Sequence, residues 1–112
     1  MYRYVIKNTN IGIIAGLGKF YPFNKKNKTV DAEVGKVMAK FTGLHNPIAA
    51  ENGETESWFT NHGNTHFKEG IRSLIVLYGK YGYQIEVVKD HYKNHIGRQI
   101  LYTDRYQYIF KR

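Results

Sequence analysis

Residues 29–41, TVDAEVGKVMAKF, carry the clearest secondary-structure signal in the chain. Apolar residues recur there at intervals of three and four, which forms one stripe along an α-helix. The stripe consists of Val30, Val34, Val37, Met38 and Phe41. Thr29 is predicted to cap the amino end of this helix, and Gly43 is predicted to end it. Because Gly35 costs a helix roughly 1 kcal/mol relative to alanine, we expect its face to lie close against another backbone.

A second stripe with the same spacing predicts a helix over residues 66–78, with Thr65 or Asn64 as its cap. Its members are Phe67, Ile71, Leu74, Ile75 and Tyr78. Short segments with strand character surround the two helices. They are residues 2–7, 56–60 and 83–88, and a hairpin of residues 99–102 and 106–110. Residues 11–23 are apolar but interrupted by glycine and proline, which indicates either a bulged strand or a loop packed on the core.

This order of elements predicts a single small α+β domain spanning residues 1–112. We expect a mostly antiparallel sheet of about 4–5 strands with both helices packed on one face. The other face is then predicted to carry tyrosines and basic side chains. Residues 44–57 are predicted to form an acidic loop, and a loop of that length in a small domain is usually functional or mobile.

Charge and tyrosine content indicate a class of partner. The 112 residues include 17 lysines and arginines against 9 aspartates and glutamates, a formal net charge of +8, and ten tyrosines. Such a surface attracts polyanions, and aromatic rings stack on exposed bases. The charge is uneven: residues 1–48 carry +6, residues 49–69 carry −3 and residues 70–112 carry +5. An acidic segment therefore separates two basic ones.

Other features of the sequence exclude several classes of protein. The chain has no cysteine, so it has no disulfide framework and no thiolate metal site. No apolar run approaches the roughly 20 residues of a membrane span, and the first residues lack the apolar region of a signal peptide. We therefore expect a cytoplasmic protein without a membrane partner. The glycine-rich residues 12–19 depart from phosphate-loop spacing, and no cofactor is predicted.

Four of the five histidines form two pairs with identical spacing, His62 with His66 and His91 with His95. On a helix this spacing places two imidazoles on one face, as in many zinc sites. Candidate further ligands are His45, Glu69 and Asp90. However, the glycine and asparagine between His62 and His66 disfavour a helix through the first pair. The lysine at position 93 would place a cation beside a metal at the second pair, so no metal site is predicted.

Our leading hypothesis is a small, basic, non-enzymatic protein that binds RNA, single-stranded DNA or a ribonucleoprotein through the predicted sheet face. The basic residues expected to contact phosphates are Arg3, Lys7, Lys25, Lys26, Lys28, Arg98, Arg105, Lys111 and Arg112. The tyrosines expected to stack on bases are Tyr4, Tyr81, Tyr83, Tyr102, Tyr106 and Tyr108. Whether a second subunit of a homodimer covers the face instead stays open.

Two alternative functions also stay open. The first is an inhibitor of the anti-defence or anti-CRISPR-like kind that phages and mobile elements encode, which would bind a host protein through the acidic loop and the tryptophan. Its contact residues would be Glu51, Glu54, Glu56 and Trp58. The second is a ribonuclease in which histidines act as general acid and base beside a cation. Its candidate catalytic residues are His62, His66, His91 and His95.

Overall fold

A five-stranded antiparallel sheet organises the chain in the computed structural model, which describes residues 1–45 and 55–112. The strands are β1 (Tyr2–Ile6), β2 (Thr55–Phe59), β3 (Ile85–Lys89), β4 (Ile100–Thr103) and β5 (Gln107–Lys111). Their order across the sheet is β3-β1-β2-β5-β4. The predicted α+β fold is confirmed, and so is the C-terminal hairpin, here formed by β4 and β5.

Three helices accompany this sheet within the described ranges: α1 (Lys28–Met38), α2 (Asn61–His66) and α3 (Lys68–Lys80). Short 3₁₀ turns lie at Ala15–Gly18, Ala39–Phe41 and Tyr92–His95. The prediction that Thr29 caps α1 is wrong. Asn27 is the cap, and its side-chain oxygen accepts hydrogen bonds from the amides of Thr29 and Val30 at 3.0 and 3.1 Å. Asparagine is among the strongest capping residues, so the helix begins two residues earlier than predicted.

The second predicted helix is preceded by a separate one. Thr60 caps α2 by accepting a hydrogen bond from the Gly63 amide at 2.9 Å, whereas Thr65 and Asn64, the predicted caps of the later helix, lie inside α2. Gly63 is buried against the backbone of Tyr106, where a β-carbon would overlap the carbonyl oxygen. A glycine here lets α2 approach the β4–β5 turn closely, and this contact compensates for the poor helix propensity of the segment.

Both helical stripes join one hydrophobic core with residues of the sheet, as predicted. Phe67, Leu74 and Tyr78 are at most 2% exposed, and Tyr78 donates a hydrogen bond to the carbonyl of Ile13 at 2.6 Å. That carbonyl belongs to residues 11–23, which form a loop packed on the core rather than a strand. The expectation for Gly35 is wrong, because it is exposed and nothing lies within 4 Å of the position of its β-carbon.

The sheet opens between β1 and β2. These strands pair at Tyr2 and Phe59 and then diverge, because the segment after β1 turns back along its edge. The Ile6 amide donates to the Ile11 carbonyl at 3.0 Å, and the Ile13 amide donates to the Tyr4 carbonyl at 3.1 Å. A cleft of about 100 Å³ remains between this returning segment and β2.

Two glycine substitutions test this packing against helix propensity. Gly63→Ala is expected to lower the free energy of unfolding by at least about 2 kcal/mol, because the new methyl group collides with backbone that cannot rotate away. Gly35→Ala makes the same chemical change at an open helical position and is expected to raise it by roughly 0.5–1 kcal/mol. Urea unfolding of both variants measures the difference. Equal effects of the two substitutions would contradict the close approach of α2 to the turn.

Candidate nucleic-acid interface

The strand register divides the predicted stacking tyrosines between the two sides of the sheet. Tyr4, Tyr81, Tyr83 and Tyr106 pack against the core on the helix side. Tyr102 lies opposite Ile109 on β5, while Tyr108 pairs with Trp58 and lies on the other side. The structure therefore does not bring the six tyrosines to one open face. Side chains alternate between the two faces along each strand, so the register decides which face the tyrosine of a strand occupies.

Hydroxyl groups explain why tyrosine suits the helix side. Four half-buried rings place their hydroxyl groups against a protein acceptor. The hydrogen bonds run from Tyr4 to Asn64 (2.6 Å), from Tyr81 to Glu33 (2.8 Å), from Tyr83 to the Tyr21 carbonyl (2.7 Å) and from Tyr102 to Asp104 (2.8 Å). The hydrogen bond with Glu33 raises the pKa of Tyr81 above its ordinary value. These four tyrosines are structural in this arrangement.

The predicted basic residues also differ in their surroundings. Arg3 is 5% exposed and its guanidinium is bound to backbone carbonyls, so it lies inside the cleft between β1 and β2 and not on the outer face of the sheet. Arg98 is half-buried and forms an ion pair with Glu56 at 2.8 Å. The remaining predicted basic residues are exposed: Lys7, Lys25, Lys26, Lys28, Arg105, Lys111 and Arg112.

Five rings form a continuous series on the side of the sheet away from the helices. We call Trp58, His95, Phe110, Tyr108 and Tyr92 the aromatic row. Neighbouring centroids are 5.1, 5.3, 6.0 and 4.9 Å apart in that order, and the last three contacts are stacked. The inner rings of Trp58, His95 and Phe110 are at most 9% exposed, whereas Tyr92 at the outer end is 41% exposed. Tyr92 therefore presents an aromatic surface to solvent and is supported by Tyr108 beneath it.

A hydrogen-bonded network holds the inner part of the aromatic row. Arg98 donates to Nδ1 of His95 at 3.0 Å and to Glu56 at 2.8 Å, and Trp58 donates to the same Glu56 oxygen at 2.7 Å. Since a guanidinium cannot accept a hydrogen bond, the proton of neutral His95 sits on Nε2, which donates to Asp90 at 2.9 Å. Both ring nitrogens of His95 are thus engaged, and its role in this arrangement is to position the ring.

The two carboxylates of this network are held ionised. Hydrogen bonds from Asn94, from the His91 amide and from His95 lower the pKa of Asp90 to about 2. Burial alone would raise the pKa of Glu56, but hydrogen bonds from Arg98 and Trp58 outweigh it and keep that pKa below its ordinary value. The row therefore rests on fixed negative charges that stay ionised at neutral pH.

A second aromatic group lies where β4 turns into β5. We call His62, His66, Tyr106 and Arg105 the Tyr106 cluster. Tyr106 stacks on His62 at 5.5 Å and on His66 at 4.7 Å, and the Arg105 guanidinium lies 5.7 Å from its ring centroid. The expectation that no helix passes through His62 and His66 is wrong, because α2 contains both. The close contact of Gly63 with Tyr106 makes that helix possible.

The two histidine pairs do not form one site. His62 and His66 contact Tyr106 on the helix side, whereas His95 lies in the aromatic row on the opposite side and His91 is exposed. Among residues 1–45 and 55–112, no three or more His, Cys, Asp or Glu side chains are grouped so that they could hold a metal ion. A ribonuclease that combined the two pairs would need a different arrangement of these elements.

Of the four residues expected to contact a host protein, the structure describes Glu56 and Trp58. Glu51 and Glu54 lie outside the described residues. Trp58 is 5% exposed, and Glu56 is engaged by Arg98 and Trp58. The sequence does not predict the pairing of Glu56 with Arg98, because these residues are 42 positions apart in the chain.

Neither a protein-family model, nor a curated protein, nor a solved structure matches this chain. In the part of the chain that the structure describes, no helix has the length and apolar character needed to cross a membrane.

The acid dependence of stability tests the network beneath the aromatic row. The pKa of Asp90 is about 2 in the folded protein against an ordinary value of 3.8, so its stabilising contribution is complete above about pH 4 and is lost as the pH falls toward 2. Asp90→Asn is expected to lower the Tm above pH 4, and this deficit should shrink toward zero near pH 2. Circular dichroism melts from pH 2 to 6 measure it. A Tm deficit that stays constant over this range would contradict the assignment.

Proposed function

We propose that this protein binds single-stranded nucleic acid along the C-terminal hairpin, with the exposed end of the aromatic row as its stacking platform. The proposal rests on the position of the Tyr92 side chain. This side chain is 41% exposed, and its ring stacks on the Tyr108 ring with the two centroids 4.9 Å apart. A ring that is exposed on one face and supported on the other offers a base a fixed surface at little cost in side-chain entropy.

Apolar and basic side chains border this platform in the sequence and on the sheet. Ile96 and Ile100, which are 73% and 38% exposed, lie in the segment that leads from the row into β4. Lys93 is exposed and directly follows Tyr92. Exposed apolar groups beside cations suit a ligand that alternates flat bases with phosphates.

The Tyr106 cluster lies at the turn of the hairpin, on the opposite side of the sheet from the platform. Tyr106 lies two residues from Tyr108, a distance of roughly 7 Å along an extended chain. Arg105 is exposed and directly precedes Tyr106 in the sequence. A flexible single strand that stacks on Tyr92 can follow the turn toward Arg105, whereas a rigid duplex hides its base faces. This difference favours unpaired RNA or DNA as the ligand.

Substitutions at Tyr92 test the platform. Tyr92→Leu keeps an apolar side chain but removes the ring, and it is expected to weaken binding of a labelled single-stranded oligonucleotide about tenfold or more, because a stacked base contributes roughly 1–3 kcal/mol. Tyr92→Phe keeps the ring and serves as the matched control, so its affinity should stay within about twofold of the parent. Fluorescence anisotropy with RNA and DNA of the same sequence gives the values. Equal losses in both variants would contradict stacking at Tyr92.

The salt dependence of binding tests the phosphate contacts. The logarithm of the affinity is expected to fall linearly with the logarithm of the salt concentration, by about 0.7 for each phosphate contact on a single strand. Lys93→Gln and Arg105→Gln should each make this slope shallower by about that amount. Lys36→Gln removes the same charge from the exposed surface of α1 and should leave the slope unchanged. A parent affinity that does not depend on salt would refute the proposal.

A further inference from the structure

Two guanidinium groups converge on a single carbonyl oxygen in the cleft between β1 and β2. Nη2 of Arg3 donates to the Asn10 carbonyl at 2.6 Å, and Nη2 of Arg112 donates to the same oxygen at 2.5 Å. Nη1 of Arg3 also lies 3.5 Å from the Ser57 carbonyl. Arg3 and Arg112 therefore hold two like charges side by side, and both side chains line the cleft.

The cleft between β1 and β2 is lined by more positively charged than negatively charged side chains. Burial lowers the pKa of Arg3 to about 10; the carboxylate of Glu56 opposes this change, and the charges of Arg112 and Arg98 add to it. Glu56 already forms an ion pair with Arg98 at 2.8 Å, so this carboxylate is shared between Arg98 and Arg3. Like charges held together in a partly desolvated site repel each other, and an anion bound between them relieves that repulsion.

The rest of the cleft supplies further groups that suit an anion. Lys19 adds a third cation to the lining, and His45 also borders it. The carbonyl of Ser57 faces Arg3, and because the N–H and C=O of a strand residue point to the same side, the Ser57 amide faces the cleft as well. Backbone amides beside basic side chains are typical of phosphate sites.

The size of the cleft limits what enters. Its volume is about 100 Å³, below the roughly 150 Å³ of an apolar cavity that accommodates benzene. A tetrahedral oxyanion fits within this volume. The cleft is thus a different kind of site from the stacking platform at Tyr92.

We propose that the cleft between β1 and β2 is a binding site for a phosphate group, with Arg3 and Arg112 as its principal donors and Lys19 at its edge. The group is either a free phosphate or phosphomonoester, or the terminal phosphate of a nucleic acid. This site does not depend on nucleic-acid binding at the hairpin, because inorganic phosphate alone tests it.

The first experiment titrates the full chain with inorganic phosphate at constant ionic strength, with chloride as the balancing anion. Phosphate at about ten times its Kd is expected to raise the Tm by about 5 °C. Phosphate also stabilises many proteins without binding them, so the variants decide the cause of the shift. Arg112→Gln is expected to weaken phosphate affinity about tenfold, since it removes one charge-assisted donor. Lys19→Gln should weaken it less.

The control Lys36→Gln removes the same charge from α1, outside the cleft, and should keep the full Tm shift. An equal Tm shift in the parent, Arg112→Gln and Lys36→Gln proteins, or no shift at all, would overturn the proposal. NMR gives an independent readout, because the amide signals of Ser57 and Gly12, which line the cleft, should move on titration of the parent. Amide shifts confined to other parts of the chain would also overturn it.

The source of the phosphate is found with two oligonucleotides of the same sequence, one with a 5′-phosphate and one with a 5′-hydroxyl. Tighter binding of the phosphorylated strand in the parent but not in Arg112→Gln would assign the cleft to a nucleic-acid end. Equal binding of both strands, together with saturable binding of inorganic phosphate, would assign it to a free phosphate or phosphomonoester.

Discussion

The guanidinium of Arg3 occupies the point where the sheet opens, and much of the architecture depends on it. Its hydrogen bonds to the carbonyls of Asn10 and Ser57 join the segment that returns along β1 to the edge of β2. Backbone carbonyls at a break in a sheet need donors, because a buried acceptor left unpaired costs about 1–3 kcal/mol. An arginine can supply several donors in different directions, so one side chain holds together a sheet that its strands leave partly unpaired.

Polar contacts also organise the side of the sheet that faces away from the helices. The charged network of Asp90, His95, Arg98 and Glu56 lies among aromatic rings, and the rings lead outward to Tyr92. A flexible turn would lose conformational entropy on binding a ligand, whereas a ring already fixed by stacking and by the network behind it loses little. These polar groups therefore help to hold the exposed ring of Tyr92 in place.

The helical stripes of α1 and α3 and the β4–β5 hairpin are predictable from the sequence because local periodicity and turn residues specify them. The start of α1 is also local, and Asn27 rather than Thr29 simply caps it better. Helix α2 is not predictable, since it depends on the contact between Gly63 and Tyr106, 43 positions away in the chain. The candidate site is likewise predictable only where local sequence specifies it. Basic and aromatic content indicates a polyanion partner, but the burial of Arg3 and the role of His95 follow from register and long-range pairing.

Trp58 is the single tryptophan of the chain, and it occupies an unusual position. It forms the inner end of the aromatic row, donates to Glu56, and also lines the cleft beside Arg3. Indole fluorescence responds to nearby charges and to hydrogen bonding at Nε1. The protein thus carries a built-in optical probe at the junction of its two candidate sites. Occupation of either site can be followed by its emission without any label.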